Sequence, residues 1–200
     1  MDWKGKAGHA TIERNFVWCG MIESYIKDVE FMIRSMALMH PDYPSYRLVI
    51  CGKTRHGTEQ RIKDLCLKYK LPREAIVLTG YISDEQLITY CKTATALLVP
   101  LWDDQRSMDR FPTKIASFLF SARPVITCPI GEVAKYLAHL DSAVFYAPAD
   151  PQDLREKMEY AILNQQQTAN IGQKGFEVAA ENFDYRSYSG ILSEFFSQFI

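Results

Sequence analysis

Six short apolar runs, each followed by a turn and then by a helical pattern, constrain the fold of this chain more than any other feature. The runs are Asn15–Gly20, Tyr46–Gly52, Ala75–Gly80, Thr95–Pro100, Val125–Cys128 and Ala143–Tyr146. They are continuous rather than alternating, which marks strands buried on both faces of a parallel sheet. Between them the spacing predicts helices. Val29, Met32, Ile33, Met36 and Ala37 fall on one face of a helix over Asp28–Met39. A second runs over Thr58–Tyr69 with Thr58 as its N-cap, and Ser83-Asp-Glu-Gln86 opens a third with a capping box. Pro112 suits the first turn of a fourth, which Pro124 ends. Gly131–Leu140 is a fifth, and the chain closes with helices over Pro151–Leu163, Thr168–Asn182 and Tyr185 onward, with Gln165–Gln167 as a polar turn. Right-handed crossovers between such strands give an α/β, doubly wound, Rossmann-like fold of about six strands with helices on both faces. Ligands of such sheets bind beyond the carboxyl ends of the strands.

Composition excludes several function classes. A formal charge of −1, with 23 Lys+Arg spread along the chain, supplies no basic field for nucleic acid. No apolar run is long enough to span a bilayer and nothing supports a membrane surface as a partner. Five cysteines without close spacing and four scattered histidines give no metal site, and the odd cysteine count points to a reducing cytoplasm. Residues 1–14 read as a leader, and 15–200 as one domain whose C-terminal helices occupy 151–200. The dinucleotide G-x-G-x-x-G, the phosphate-binding G-x-x-x-x-G-K-[ST] and the nucleophile elbow G-x-S-x-G are absent.

Two local features point to a ligand. Gly20, Gly52 and Gly80 close three of the runs. They serve either turn geometry or the close approach of backbone to a ligand. Lys114 falls in the first turn of the helix after Pro112, where a cation opposes the helix dipole. A bound phosphate would account for it, and so would a solvated surface lysine.

The pieces, in order, resemble the C-terminal domain of a GT-B glycosyltransferase of the retaining group 1 family (family 4). Val17-Trp-Cys-Gly20 followed by Lys27-Asp-Val29 resembles that family's opening strand, glycine and lysine. Leu48-Val-Ile-Cys-Gly52 resembles its second strand, and Ile76-Val-Leu-Thr-Gly-Tyr-Ile82 its V-x-F-x-G segment. Ala94-Thr-Ala-Leu-Leu-Val-Pro100 and Gly131-Glu132 resemble two later landmarks. The likeness runs from about Phe16 to Tyr185.

The resemblance implies a domain that holds a nucleotide-diphosphate sugar as substrate, with no cofactor and no metal. An N-terminal acceptor-binding domain, in the same or a separate chain, would complete it. The family's two signature glutamates correspond to Asp109 and Ser117. Asp109 and Lys27 take the catalytic places, while Gly20, Gly52, Gly80, Tyr81, Ile82, Arg110, Thr113, Lys114 and Ser117 take donor-binding ones. Asp109 keeps charge on a shorter arm; Ser117 keeps a hydrogen bond to a ribose hydroxyl without charge. Tyr81 and Ile82 would flank the base. The family's arginine after the first strand is Met21 here, and Arg110 and Lys114 are the candidates to replace its charge at the diphosphate. The readings open at this point are the donor-binding half of a glycosyltransferase, a degenerate non-catalytic nucleotide- or partner-binding domain of the same fold, and an unrelated doubly wound domain.

Overall fold

All six apolar runs form strands in a computed structural model that describes residues 11–109 and 111–199, side chains of Ser187, Tyr188 and Ile191 excepted. They are β1 (Asn15–Cys19), β2 (Arg47–Cys51), β3 (Ile76–Gly80), β4 (Ala96–Val99), β5 (Val125–Thr127) and β6 (Val144–Phe145). Every pairing is parallel and the order is β3-β2-β1-β4-β5-β6. Successive strand side chains point to opposite faces, yet Phe16, Val17 and Trp18 of β1 and all of β4 are buried. Both faces are therefore covered, as continuous apolar runs require.

The covering helices are α1 (Ile26–Met39), α2 (Thr58–Lys68), α3 (Asp84–Thr93), α4 (Gln105–Met108), α5 (Thr113–Leu119), α6 (Val133–Tyr136), α7 (Pro151–Leu163), α8 (Gln165–Asn182) and α9 (Tyr185–Ser197). The α1 stripe read from the sequence is the stripe that packs: Val29, Met32, Ile33 and Met36 are buried. The capping box forms, with the Ser83 hydroxyl accepting from the Gln86 amide and the Gln86 side chain accepting from the Ser83 amide.

Several boundaries differ from expectation, each for a local reason. Thr58 is the first residue of α2 rather than its N-cap; Gly57, at φ +87°, holds that place. The Thr58 hydroxyl instead donates to the Glu23 carboxylate, which also accepts from the Arg55 amide at 2.7 Å. These bonds, Thr58's first, hold the Glu23 carboxyl below its ordinary range. The helix after Pro112 stops at Leu119, well before Pro124, because Ala122 turns left-handed at φ +55°. α8 presses on that turn: a Cβ on Gly172 would overlap the Ala122 carbonyl. The segment 102–110 holds α4, capped by the Asp104 carboxylate, which accepts from the Ser107 amide at 2.8 Å. The helix expected over Gly131–Leu140 shrinks to α6, and Gln165–Gln167 begin α8 rather than form a turn. The leader expected over residues 1–14 lies outside the described residues up to position 10. Beyond it, the Glu13 amide donates to the Thr93 carbonyl and Arg14 accepts from the Arg47 amide.

No helix among the described residues is long and apolar enough to cross a membrane. All five cysteines are free thiols. Burial pushes Cys51 up to about 12 and raises Cys19, Cys66, Cys91 and Cys128 as well. The thiolate is the reactive form. The native protein should therefore react slowly with a thiol reagent at neutral pH, and all five thiols should be titrated after denaturation. Rapid native labelling of Cys51 or Cys91 would contradict this packing.

Candidate functional site

The strand order reverses between β1 and β4. Chains leaving the two strands there depart to opposite sides and open a crevice at the carboxyl edge. A pocket of about 200 Å³ occupies that place, lined among others by Trp18, Tyr25, Asp28, Pro100, Thr113 and Lys114. Trp18 belongs to β1, and Pro100 follows β4 directly. Tyr25 closes the short 3-10 turn Glu23–Tyr25, and Asp28 lies in the first turn of α1. Thr113 and Lys114 open α5.

Aromatic faces hold the cations of this site. The Lys114 ammonium lies 4.8 Å from the Trp18 ring centroid and 4.6 Å from that of Tyr25. The Arg106 guanidinium lies 5.3 Å from the same Tyr25 ring. The Lys27 ammonium sits 3.6 Å over Trp102. Trp102 is fixed in turn, its Nε1 donating to Asp28 Oδ1 at 2.7 Å while its ring meets Phe31 edge-on at 5.3 Å. A ring face attracts a cation through its quadrupole. Lys114 also acts at a distance on Cys19, where burial raises the thiol and the ammonium pulls the other way. The arrangement suits an anion placed at the mouth of the crevice.

The strand-end glycines separate by role. A Cβ on Gly20 would collide with the Lys114 ammonium and the Trp18 ring. Gly52 is squeezed by its neighbour, since a Cβ there would overlap the Gly20 carbonyl oxygen. The Gly20 amide donates to Cys51 O at 2.9 Å and the Gly52 amide to Gly80 O at 3.1 Å, so the loop ends are laced together. Gly80 has open space around it and a φ of +67°, so it serves the turn.

The structure brings Thr113 and Lys114 into the pocket lining and sets Gly20 against Lys114, while Lys27 does not line the pocket and lies over Trp102, which bonds the lining residue Asp28. It leaves others further off. Asp109 follows α4, with its carboxylate exposed and accepting from Gln105 Nε2 at 2.8 and 2.9 Å; it does not line the pocket. Ser117 stands one turn beyond Thr113 on the same face of α5, half-buried. Tyr81, 84% exposed, and the half-buried Ile82 follow β3, two strands from β1 and thus about 10 Å along the edge. Arg110 lies outside the described residues. Among the described residues no three His, Cys, Asp or Glu side chains are grouped as metal ligands.

Sequence reasoning missed the aromatic platforms. Trp18 reads as a core residue of β1, Tyr25 falls between two predicted elements, and Trp102 reads as loop. The available signal was that two tryptophans flank the carboxyl ends of strands that become neighbours, each with a lysine in the following connection.

The model of the family described as glycosyl transferases group 1 matches residues 2–178. No curated protein matches the chain significantly. Among solved structures, Anabaena HepE in complex with UDP-glucose aligns with a TM-score of 0.77 and 15% identity over 93% of this chain and 49% of its own. Sucrose-phosphate synthase from Thermosynechococcus elongatus gives 0.76 and 17% over 94% and 45%. The C-terminal domain of a glycosyl transferase group 1 family protein (LpcC) from Francisella tularensis gives 0.70 and 14% over 90% and 94%. The chain thus spans about half the length of the first two and nearly all of the third. At these identities the structural likeness speaks for the fold.

Proposed function

The chain belongs to the group 1 glycosyl transferases, and from that premise we propose that it is the donor-binding half of a retaining glycosyltransferase. It holds a nucleotide-diphosphate sugar in the β1–β4 crevice, and the sugar passes to a glycan or lipid-linked acceptor bound by an N-terminal half in the same or another chain. The observation that carries this reading is the Lys114 ammonium, lodged between two ring faces where the strand order reverses. As the nucleoside diphosphate leaves, negative charge grows on its phosphates. Fixed cations stabilise that charge without having to reorganise. Lys114 and Lys27 take this part, and Arg110 is a further candidate from its place in the sequence. Asp109 serves the donor sugar, Ser117 the ribose hydroxyls, and Tyr81 with Ile82 the base. Free thiols throughout support a reducing, cytoplasmic setting. Exposed Leu192, Phe195 and Phe196 on α9 support a partner half that covers them.

Calorimetry with UDP, GDP and ADP tests the reading. UDP comes first because the Anabaena relative was crystallised with it. At least one nucleoside diphosphate should bind with a Kd between about 10 µM and 1 mM, roughly 4 to 7 kcal/mol. Absence of binding by all three would sink the proposal. The isolated chain should transfer no sugar, since the acceptor side and cleft closure come from elsewhere.

A second reading has its own support. Met21, 60% exposed after β1, stands at the place of the family's arginine, and Ser117 at that of a glutamate. This would be a nucleotide-binding domain without catalysis. Binding without transfer, once the complementary half is supplied, would favour it.

A further inference from the structure

At the opposite edge of the sheet, where the strands begin, lies a wider cavity of about 430 Å³. Arg14, Tyr46, Arg123, Gln165 and Gln166 line it, from the entries to β1, β2 and β5 and the first turn of α8. The Arg14 Nη1 donates to the Ser45 hydroxyl at 3.0 Å. Arg123 is half-buried, and its Nε and Nη2 donate to the Ala94 and Thr95 carbonyls at 2.7 and 3.3 Å. Among the described residues neither guanidinium forms an ion pair. Burial alone pulls Arg123 below its ordinary pKa, with no neighbouring carboxylate acting against it. Glu13 also lines the cavity, its carboxylate accepting from Asn15 Nδ2 at 2.6 Å; that neutral amide supplies no counter-charge, so a bound anion would sit on the arginine side.

A half-buried charge without a counter-charge, as at Arg123, costs free energy that a bound anion would offset, while Arg14, lining the same cavity, is exposed. The α8 terminus adds to this. The Asn164 side chain donates to the Tyr160 carbonyl at 3.0 Å rather than capping α8, whose first turn has no side-chain cap. We propose that this cavity binds a small phosphate-bearing anion, whose oxygens are taken by the guanidinium groups of Arg14 and Arg123. Guanidinium forks match phosphate oxygens in pairs, and Tyr46 and the α8 amides stand beside them as further donors. The site is separated from the crevice by the length of β1, roughly 15 to 20 Å, and does not depend on what the crevice binds.

Pyrophosphate and inorganic phosphate, titrated into the whole chain by calorimetry, test the proposal. The titration is made in the Lys114→Met background so that the crevice contributes little. Pyrophosphate should still bind there, and adding Arg14→Ala should weaken it by about tenfold or more. Arg14 is the residue to change because Arg123 also ties down two backbone carbonyls. Arg14→Ala alone should leave nucleoside diphosphate binding unchanged. No pyrophosphate binding in the Lys114→Met protein, or binding indifferent to Arg14→Ala, would overturn the assignment.

Discussion

Lys114→Met should weaken nucleoside diphosphate binding by about tenfold to a hundredfold while the protein stays folded. The size follows from the charge-assisted hydrogen bonds that an ammonium makes to phosphate, about 1.5 to 3 kcal/mol, against roughly 1.4 kcal/mol per tenfold. Methionine is the informative replacement. It keeps an unbranched stem between the Trp18 and Tyr25 rings, and a thioether packs well on aromatic edges. What it removes is the charge. The lost cation–ring attraction is about 0.5 to 1 kcal/mol, so the melting temperature should fall by no more than about 4 °C. Affinity measured by calorimetry and melting by calorimetric scan separate the two effects. A variant that binds as tightly as the parent would remove Lys114 from the site. A variant that unfolds would show the lysine to be structural.

Gly52→Ala should damage fold and site together. A Cβ on Gly52 would overlap the carbonyl oxygen of Gly20, a backbone atom that cannot swing aside as a side chain can. Overpacking of this kind costs about 1 to 3 kcal/mol, sometimes more. For a chain of this length that is a fall of roughly 2 to 12 °C in Tm. The displacement would fall on Gly20, whose backbone lies against Lys114 and Trp18. Nucleotide binding should therefore weaken although Gly52 itself touches no phosphate in this account. Gly80→Ala is the contrast, because that residue has open space about it and a strained φ only. Its cost should be smaller, about 1 kcal/mol. Equal melting temperatures for Gly52→Ala and the parent would contradict the packing described between the β1 and β2 loop ends.

The sheet was legible because burial on both faces leaves no alternation to misread. Each strand announced itself as a run of Val, Ile, Leu or Phe with a turn residue behind it, whereas the place where the order reverses, between β1 and β4, came from the structure. Helix ends were less legible. Nothing local announces that Ala122 turns left-handed twelve residues after Arg110; that turn answers to α8, which packs on it from far along the chain. Thr58 looks like an N-cap by residue type, yet its hydroxyl is claimed by Glu23, thirty-five positions earlier.

The site divides in the same way. Lys114 was singled out because it sits against the dipole of its own helix, a local anomaly visible in sequence. Its supports were not visible, since Trp18 and Tyr25 reach it only once β1 and α5 meet at the carboxyl edge. Asp109 and Ser117 stand in the family's places but outside the pocket lining, so their roles depend on the substrate and the second half. Gly52 was read as turn or ligand contact, and the structure gives it a third office, as the seat of its neighbour's backbone.

Backbone amide chemical shifts, followed while the tightest-binding nucleoside diphosphate is titrated into the isolated chain, test the central claim most directly. Saturable shifts should be largest at Gly20, Met21, Thr113 and Lys114, around the β1–β4 crevice. Shifts confined to another surface, or none at millimolar nucleotide, would contradict it.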